Sequence, residues 1–274
     1  MRFADLHLHT IFSDGTYTAE ELISEVAKSG INTVAITDHD TVEGIVPCLK
    51  AAGEKDIEVI PAIELTAEHD GLEIHILGYF IDYESGSLRE KLNFLKANRR
   101  ERMHKMVDKL KKMNVAIDAD EVFELAAGAP AGRLHLARVL VKSGYVRSIY
   151  DAFHKYIGDQ APAYICGFRL KPSESIELIL RNGGIAVLAH PYSMKRDDLI
   201  PLFVDYGIRG LEVYYPEHTK TMTQHYKDIA DKYGLLITGG SDCHGSVKPD
   251  VQLGAIKLPY SFVEKLKQEK TKMR

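Results

Sequence analysis

The feature that most constrains the fold is an alternation of short apolar strands with amphipathic helices at both ends of the 274-residue chain. In the first block, strands are predicted at residues 3–9, 33–40, 58–68 and 73–81, with a helix at 18–30. In the second block, strands are predicted at 185–191, 209–216 and 235–245, with helices at 173–184 and 220–234. Strands that alternate with helices pair in parallel, and this number of strands suits a barrel better than a small open sheet. The sequence therefore predicts an α/β barrel.

The alternation stops between the two blocks. Over residues 88–113, leucines and methionines recur at helical spacing with no strand nearby. Further helical segments are predicted near 119–126, 132–143 and 148–157. We therefore expect residues 84–165 to form a helical insert that caps one end of the barrel, while residues 1–83 and 166–274 form the barrel itself.

Composition excludes several classes of protein. The net charge is −4, so a nucleic-acid contact requires a local basic patch. The three cysteines, Cys48, Cys166 and Cys243, are scattered without a C-x-x-C pair, which favours a reducing compartment over a disulfide framework. The sequence shows no signal peptide and no apolar stretch near the ~20 residues of a membrane span. We expect a cytoplasmic protein with no membrane association and no obligate protein partner.

Histidines occupy an unexpected place in the first strand. The segment DLHLHTIFSDG, residues 5–15, has histidines at positions 7 and 9. Residues two apart in a strand face the same way, so His7 and His9 can reach one metal ion. Taken alone, the pair is equally consistent with two packing histidines.

The other predicted strands also carry His, Asp or Glu, mostly near their carboxyl ends, where barrel enzymes place their chemistry. The residues are Asp38, His39, Asp40, Glu64, His75, His190, Asp242 and His244. Chance placement of six of the twelve histidines in this pattern is improbable. The sequence therefore predicts a metal site at one end of the barrel.

Four ordered motifs carry a resemblance to a known family. They are DLHLHT followed by SDG, AITDHDT, AHP and GSDCH. The sequence resembles the polymerase-and-histidinol-phosphatase (PHP) superfamily over essentially its whole length. The resemblance implies a distorted (β/α)7 barrel with a helical cap insert, and a cluster of up to three divalent metals.

The resemblance also implies nine metal ligands, carried over position by position. The first metal would take His7, His9, Glu64 and Asp242. The second would share Glu64 as a bridge and add His75 and His190. The third would take Asp14, His39 and His244, although some family members have a histidine at the position of Asp14.

Neighbouring polar residues are predicted to support these ligands. Asp5, Asp38 and Ser241 are expected to orient ligand imidazoles. Six imidazoles and three carboxylates without a thiolate suit manganese, iron or zinc better than calcium or magnesium, and we expect two or three metals, with manganese favoured. The side chain of Cys243 is expected to pack away from the ligands on either side of it.

This metal cluster predicts phosphoester hydrolysis. Two metals ~3.5–4 Å apart activate a bridging water and hold the attacking and leaving oxygens of an in-line displacement. The nucleophile would be a metal-bridging hydroxide, and no other catalytic group, including the general acid, can be named from the sequence. The chain has no G-x-S-x-G, P-loop or Rossmann motif that would support another mechanism.

The insert suggests a second phosphate site. In APAGRLHLARVLV, Gly132 precedes a helix that begins with Arg133 and includes His135. A helix N-terminus favours an anion and an arginine can grip a phosphate with two hydrogen bonds, although His135 could equally be a core residue. Arg99 and Arg102, one turn apart near the barrel junction, are further candidates for substrate binding.

Two phosphate sites imply a substrate with one phosphate hydrolysed and another held. The GRLHLAR segment is similar to the branch of the family that removes the 3′-phosphate of 3′,5′-bisphosphonucleosides such as pAp, with relatives that act as 5′→3′ exonucleases on short RNA. We therefore expect a nucleotide substrate, with short 5′-phosphorylated oligoribonucleotides as a further class.

Three alternatives remain open at this point. The first is histidinol-phosphate phosphatase, whose substrate needs one phosphate site. The second is a non-catalytic, metal-stabilised module of the kind found in DNA polymerases. The third is metal-dependent amide hydrolysis, which often uses a carboxylated lysine as a bridge where this chain has Glu64. Tyr192, Tyr214 and Tyr215 could stack on a base or pack at the barrel rim, and no role is assigned to them.

Overall fold

The structure, a computed structural model, describes residues 2–53 and 55–273. Its centre is an eight-stranded sheet in the order β7-β6-β5-β4-β3-β2-β1-β8. The strands are β1 Phe3–Leu8, β2 Thr33–Ile36, β3 Glu58–His69, β4 Leu72–Tyr79, β5 Ile185–Leu188, β6 Gly210–Tyr214, β7 Leu236–Gly239 and β8 Leu258–Pro259. Strands β1 to β6 are rich in buried aliphatic residues, as expected for strands covered on both faces.

The sheet curves until its two ends meet on β1. At the amino end of β1, Phe3 and Ala4 pair with the two-residue strand β8. At its carboxyl end, His7 accepts a hydrogen bond from the Asp242 amide at 2.8 Å, and the His9 amide donates to Cys243 at 3.1 Å. The prediction of an α/β barrel is therefore confirmed, with seven main strands and a short eighth strand that the sequence did not reveal.

One strand runs against the others. β4 pairs antiparallel with both β3 and β5, whereas the sequence analysis predicted parallel pairing. The reason is the tight turn between β3 and β4, where Asp70 and Gly71 adopt φ values of 51° and 80°. A turn this short cannot hold the crossover that parallel strands require. The amino-terminal half of β4, which includes His75, therefore lies at the same end of the barrel as the carboxyl ends of its neighbours.

Helices cover the outside of the barrel. They are α1 Ala19–Ser29, α2 Ile45–Ala52, α7 Pro172–Arg181, α8 Ile200–Tyr206, α9 Lys220–Tyr233 and α10 Tyr260–Lys272. The first of them shows why the local sequence forms a helix. Thr18 and Glu21 form the predicted capping box, and Gly30 ends the helix with a φ of 77°. Leu22, Ile23 and Val26 bury the apolar face of α1 against the sheet.

Four helices between β4 and β5 pack around an apolar core of their own. They are α3 Gly86–Lys112, α4 Ala119–Ala126, α5 Arg133–Lys142 and α6 Ile149–Ala152, which continues as a π-helical turn over Phe153–Ile157. Met103, Met106 and Leu110 of α3 pack in this core against the later helices. The predicted helical cap is therefore present. In the described part of the chain, no helix combines the length and the hydropathy needed to cross a membrane.

Candidate metal centre

The structure brings all nine predicted ligands together at one end of the barrel. Ring nitrogens and carboxylate oxygens of eight of them form three overlapping groups, within each of which these atoms lie within 4.8 Å of one another. The ninth, His190, lies beside the second group, with its Nε2 3.2 Å from Glu64 Oε1. The residues come from β1 and the loop after it (His7, His9, Asp14), the loop after β2 (His39), β3 (Glu64), β4 (His75) and the loops after β5 (His190) and β7 (Asp242, His244).

The first group contains the four residues expected to bind one metal. His7 Nε2 lies 3.2 Å from Glu64 Oε2 and 3.5 Å from Asp242 Oδ1. His9 Nε2 lies 3.3 Å and 3.0 Å from the same two oxygens. Two imidazoles and two carboxylates thus face one point, which is a donor set for a divalent metal.

The second group is centred on Glu64. Its Oε1 lies 2.8 Å from His75 Nδ1 and 3.2 Å from His190 Nε2. Its Oε2 lies 3.1 Å from His39 Nδ1, so His39 also approaches this carboxylate, although the resemblance assigned it to the third metal alone. Glu64 therefore stands between the groups, as a bridging ligand would.

The third group joins Asp14, His39 and His244 with His9. Asp14 Oδ1 lies 3.2 Å from His244 Nε2. The rings of His9 and His244 stack with their centroids 4.0 Å apart. His9 thus contacts two groups, which the sequence did not indicate.

Unpaired buried atoms test whether the site fits metals. Six of the nine predicted ligands have a buried atom without a hydrogen-bonding partner within the described residues: His7 Nε2, His9 Nε2, His39 Nδ1, His75 Nδ1, Asp14 Oδ1 and Glu64 Oε2. Each such atom costs ~1–3 kcal/mol when left unsatisfied. All six lie in the three groups, where metals would satisfy them. The mixed nitrogen and oxygen donors therefore fit two or three divalent metals. Cys243, as expected, is buried in the apolar core instead.

The carboxylates of the cluster are ionised. Burial alone would raise the pKa of Glu64, but the imidazoles of His39, His7 and His75 hold that pKa well below its ordinary value. The pKa of Asp242 is likewise held low against burial, first by Lys248 and then by His244 and His7. Both carboxylates therefore carry the negative charge that a cation requires.

Glu212, on β6, supports two of these residues and was missed by the sequence analysis. It is fully buried, and its Oε1 lies 3.0 Å from His7 Nδ1. Its Oε2 accepts a hydrogen bond from the His190 amide at 2.8 Å. A carboxylate on the far nitrogen fixes an imidazole's orientation and tautomer. The available signal was a glutamate inside the otherwise apolar strand GLEVY.

Asp5, Asp38 and Ser241, predicted to orient ligand imidazoles, lie beside the cluster. Asp5 Oδ1 accepts hydrogen bonds from the backbone amides of Ser241 and His7, at 2.8 Å and 3.3 Å. Asp38 binds the amide of Thr10, at 2.8 Å, and the hydroxyl of Ser13, at 2.6 Å. The Ser13 hydroxyl also lies 3.5 Å from His9 Nδ1, so Asp38 reaches that imidazole through Ser13. Asp5 holds the backbone around the cluster, while Glu212 contacts the far nitrogen of His7. The orienting role of Asp5, Asp38 and Ser241 stays a prediction.

A cavity of about 230 Å³ opens beside the metal cluster. Its lining includes Asp14, His39, His75 and His244 of the metal cluster. It also includes five cationic side chains, here called the basic wall: Arg99, Arg102, Arg133, Arg169 and Lys248. Lys248 also donates to Asp242 Oδ2 at 3.0 Å. Three of these arginines were predicted to bind substrate. Arg169 and Lys248 were not, because neither belongs to a recognisable motif in the sequence.

Most of the basic groups also have carboxylate partners. Arg99 binds Asp40, and Arg133 donates to Glu73 at 2.9 Å and to Asp159 at 2.7 Å. These pairs hold the side chains in place at the wall of the cavity.

Among the described residues, Arg102 is the one arginine of this cavity without a carboxylate partner, although Arg169 Nη1 is also buried without a hydrogen-bonding partner. Its Nε donates to the Ile165 carbonyl, but its Nη2 is buried and has no partner in the described residues. Burial and the nearby Arg169, Arg133 and Arg99 lower the pKa of Arg102 to about 10. An anion in the cavity would pair with Nη2 and relieve this crowding of positive charge.

His135, a predicted substrate contact, and Tyr215, to which no role was assigned, both form hydrogen bonds within the protein. His135 is buried, does not line the cavity, and accepts a hydrogen bond from the Gly132 amide at 3.2 Å. It therefore caps its own helix in this structure, which agrees with the alternative of a core histidine. Tyr215, left without a role, donates from its hydroxyl to Asp242 Oδ2 at 2.9 Å.

Curated relatives cover most of the chain. A 5′-3′ exoribonuclease of Haemophilus influenzae is 34% identical over 88% of this chain and 89% of its own length. A 3′,5′-nucleoside bisphosphate phosphatase of Chromobacterium violaceum is 30% identical over 88% and 86%. A phosphoribosyl 1,2-cyclic phosphate 1,2-diphosphodiesterase of Eggerthella lenta is 29% identical over 88% and 94%.

Comparison of structures agrees with the sequences. A crystallised protein of Bifidobacterium adolescentis, classed as a metal-dependent phosphoesterase, superposes with a TM-score of 0.89 at 30% identity, over 97% of this chain and 95% of its own. The PHP domain family model matches residues 5–165. With its barrel, its clustered metal donors and these relatives, the chain belongs to the PHP domain family and is an enzyme of the phosphoesterase class.

Proposed function

We propose that this enzyme removes the 3′-phosphate of 3′,5′-bisphosphonucleosides such as pAp, and that it also acts on short 5′-phosphorylated oligoribonucleotides. The observation that carries the proposal is a cavity lined by two kinds of side chain. Metal-donor side chains and five cationic side chains both line it. A substrate with two separate phosphates matches this division.

We propose that the nine clustered residues hold two or three divalent metals, with manganese the favoured ion and iron or zinc the alternatives. Bound metals would supply Lewis-acid activation of a water and would neutralise charge on the phosphoryl oxygens. The protein itself provides a buried donor set, whose orientation depends on Glu212 through His7.

The basic wall would hold the phosphate that is not hydrolysed. The Arg102 guanidinium offers an unpaired buried donor, and the paired guanidiniums of Arg99, Arg133 and Arg169 are fixed around it. A guanidinium can bind phosphate oxygens with two parallel hydrogen bonds. A monophosphate such as histidinol phosphate would leave this wall without an anion, which is why we favour a bisphosphate.

The named activities of the relatives support this class of substrate. One relative is a bisphosphonucleoside phosphatase and another an exoribonuclease, and both align with nearly the whole chain. A bisphosphonucleoside carries two phosphates and RNA carries one at each linkage, so either class can place one phosphate at the metals and another at the basic wall.

The test is phosphate or nucleotide release from pAp, from histidinol phosphate and from a 5′-phosphorylated tetraribonucleotide, with Mn²⁺ and after chelation. We expect metal-dependent turnover of pAp, and mononucleotide release from the RNA. Arg102→Gln should raise KM for pAp by roughly tenfold or more, since a charged hydrogen bond contributes ~1.5–3 kcal/mol. Arg196→Gln, which alters an exposed pair with Asp198, is the matched control. Turnover of histidinol phosphate alone would refute the two-phosphate proposal.

A further inference from the structure

Two phenyl rings stand at the outer rim of the basic wall. Phe94 on α3 is 48% exposed, and Phe168, next to Arg169, is 46% exposed. Their rings meet edge to face, with centroids 5.2 Å apart and planes at 81°. Burying a large apolar side chain contributes ~1.5–3 kcal/mol, so a paired aromatic patch left in water marks a binding surface.

A lysine accompanies the two rings. Lys91 lies one turn before Phe94 on α3, and its Nζ is 5.2 Å from the Phe94 centroid and 5.7 Å from the Phe168 centroid. Within the described residues, Lys91 forms no ion pair with a carboxylate. Its charge is therefore available to an anion that approaches the rings.

The aromatic pair is continuous with the candidate active site. Phe168 lines a narrow cleft with Arg99, Arg102 and Arg169, and these three arginines also line the metal cavity. Gly167 has a φ of +61°, and a Cβ there would lie 2.8 Å from Arg102 Cδ. The backbone before Phe168 is therefore pressed against α3, which holds the second ring beside the first.

The distance places the rings outside the cavity itself. Phe94 precedes Arg102 by eight residues, which is about 12 Å along a helix axis. An RNA chain that continued from a nucleotide in the cavity would pass over Arg169 and Phe168, at the surface of the cleft, before it reached Phe94. A base at the rings would then belong to the next nucleotide.

We propose that Phe94, Phe168 and Lys91, which we name the rim platform, stack the base of the second nucleotide of a 5′-phosphorylated oligoribonucleotide whose first nucleotide occupies the cavity. Aromatic faces stack on any base, and a lysine attracts the adjoining phosphate. The inference rests on the proposed function, and it names the oligoribonucleotide as the substrate that uses the whole site.

Photocross-linking tests the position of the bases directly. Two tetraribonucleotides are prepared, one with 5-iodouridine at position 1 and one with it at position 2. In both, the first linkage is a methylenephosphonate that the enzyme cannot hydrolyse. Each is irradiated in the presence of the Mn²⁺-loaded enzyme. We expect position 2 to form adducts with Phe94 or Phe168, and position 1 not to do so. Adducts from position 1 at these rings, or no adduct at either ring, would overturn the proposal.

Kinetics provide a second readout. In Phe94→Ala and Phe168→Ala, kcat/KM for the tetraribonucleotide should fall roughly 5- to 150-fold, while kcat/KM for pAp stays within about twofold. Phe94→Tyr should keep near-wild-type values because it retains an aromatic face. Tyr206→Ala on α8, which is 37% exposed, is the matched control. An equal loss on both substrates, or no loss on RNA, would refute the rim platform.

The two proposals fail differently. If the wild-type enzyme hydrolysed neither pAp nor RNA, the proposed function would be wrong, while the cross-linking result would still decide whether the rings hold a base. In addition, the log of the affinity for RNA falls as the log of the salt concentration rises, and Lys91→Ala should make this slope shallower by about 1. An unchanged slope would contradict the role of Lys91.

Discussion

Replacing Glu212 by glutamine should weaken the metal centre without a change in side-chain size. The carboxylate accepts from two sides at once, from the His7 imidazole at 3.0 Å and from the His190 amide at 2.8 Å. Glutamine has one acceptor oxygen and an NH₂ group that can only donate. One of the two donors would therefore face another donor inside the barrel.

The magnitude follows from this mismatch. A buried donor without an acceptor costs ~1–3 kcal/mol, and groups that support a metal-binding imidazole are worth roughly 10- to 100-fold in metal affinity or activity. We expect Glu212→Gln to lower Mn²⁺ affinity about 10- to 100-fold, with a fall in phosphoesterase activity that high Mn²⁺ partly restores.

The assay is Mn²⁺ titration of the chelated protein by calorimetry, together with activity against Mn²⁺ concentration. Glu58→Gln is the matched control, because Glu58 is partly buried and pairs with Lys267 at the start of β3, away from the cluster. An Mn²⁺ affinity within twofold of wild type would refute the inferred role of Glu212.

Three further predictions follow from the same contacts. After removal of metal with a chelator, Mn²⁺ at 100 times its dissociation constant should stabilise the protein by about 2.7 kcal/mol, measured as a rise in Tm. An unchanged Tm would argue against Mn²⁺ binding at the unpaired ligand atoms of the cluster. Gly240→Ala should lower the free energy of unfolding, measured by urea titration, by at least ~2 kcal/mol, because the new Cβ would lie 2.4 Å from the His7 amide nitrogen. Gly86→Ala is the control and should have little effect, because a Cβ at Gly86 has no neighbouring atom within 4 Å. A thiol reagent at pH 8 should modify the exposed Cys166 fastest and the buried Cys48 slowest. Burial raises the pKa of the Cys48 thiol, so a smaller fraction of it is the reactive thiolate, and equal rates of modification would contradict this reasoning.

Much of the candidate site could be predicted because its donors follow simple periodicities. His7 and His9 share a face of one strand, and the motifs after β2, β5 and β7 must meet at one end of a barrel. The structure brings these groups together, with His39 and His9 each reaching a second group.

Other features could not be predicted because they depend on tertiary contacts. Glu212 has no motif, and only its tertiary contacts with the His7 imidazole and the His190 amide explain a carboxylate in the interior of β6. Arg169 reaches the cavity through a segment between the cap and α7 that has no regular pattern. The direction of β4, by contrast, had a signal in the Asp70–Gly71 turn that favours a hairpin over a crossover.

The reversal of β4 has a consequence for the tolerance of the chain to insertions and deletions. Because β4 ends at the far end of the barrel, α3 starts there and must rise about 20–24 Å along its axis to bring Arg99 and Arg102 to the cavity. Removing one residue from the first half of α3 would rotate everything beyond it by about 100° and draw it back by about 1.5 Å. Length variation in this enzyme should therefore collect in the loops after α3, where it leaves both arginines in register with the metals.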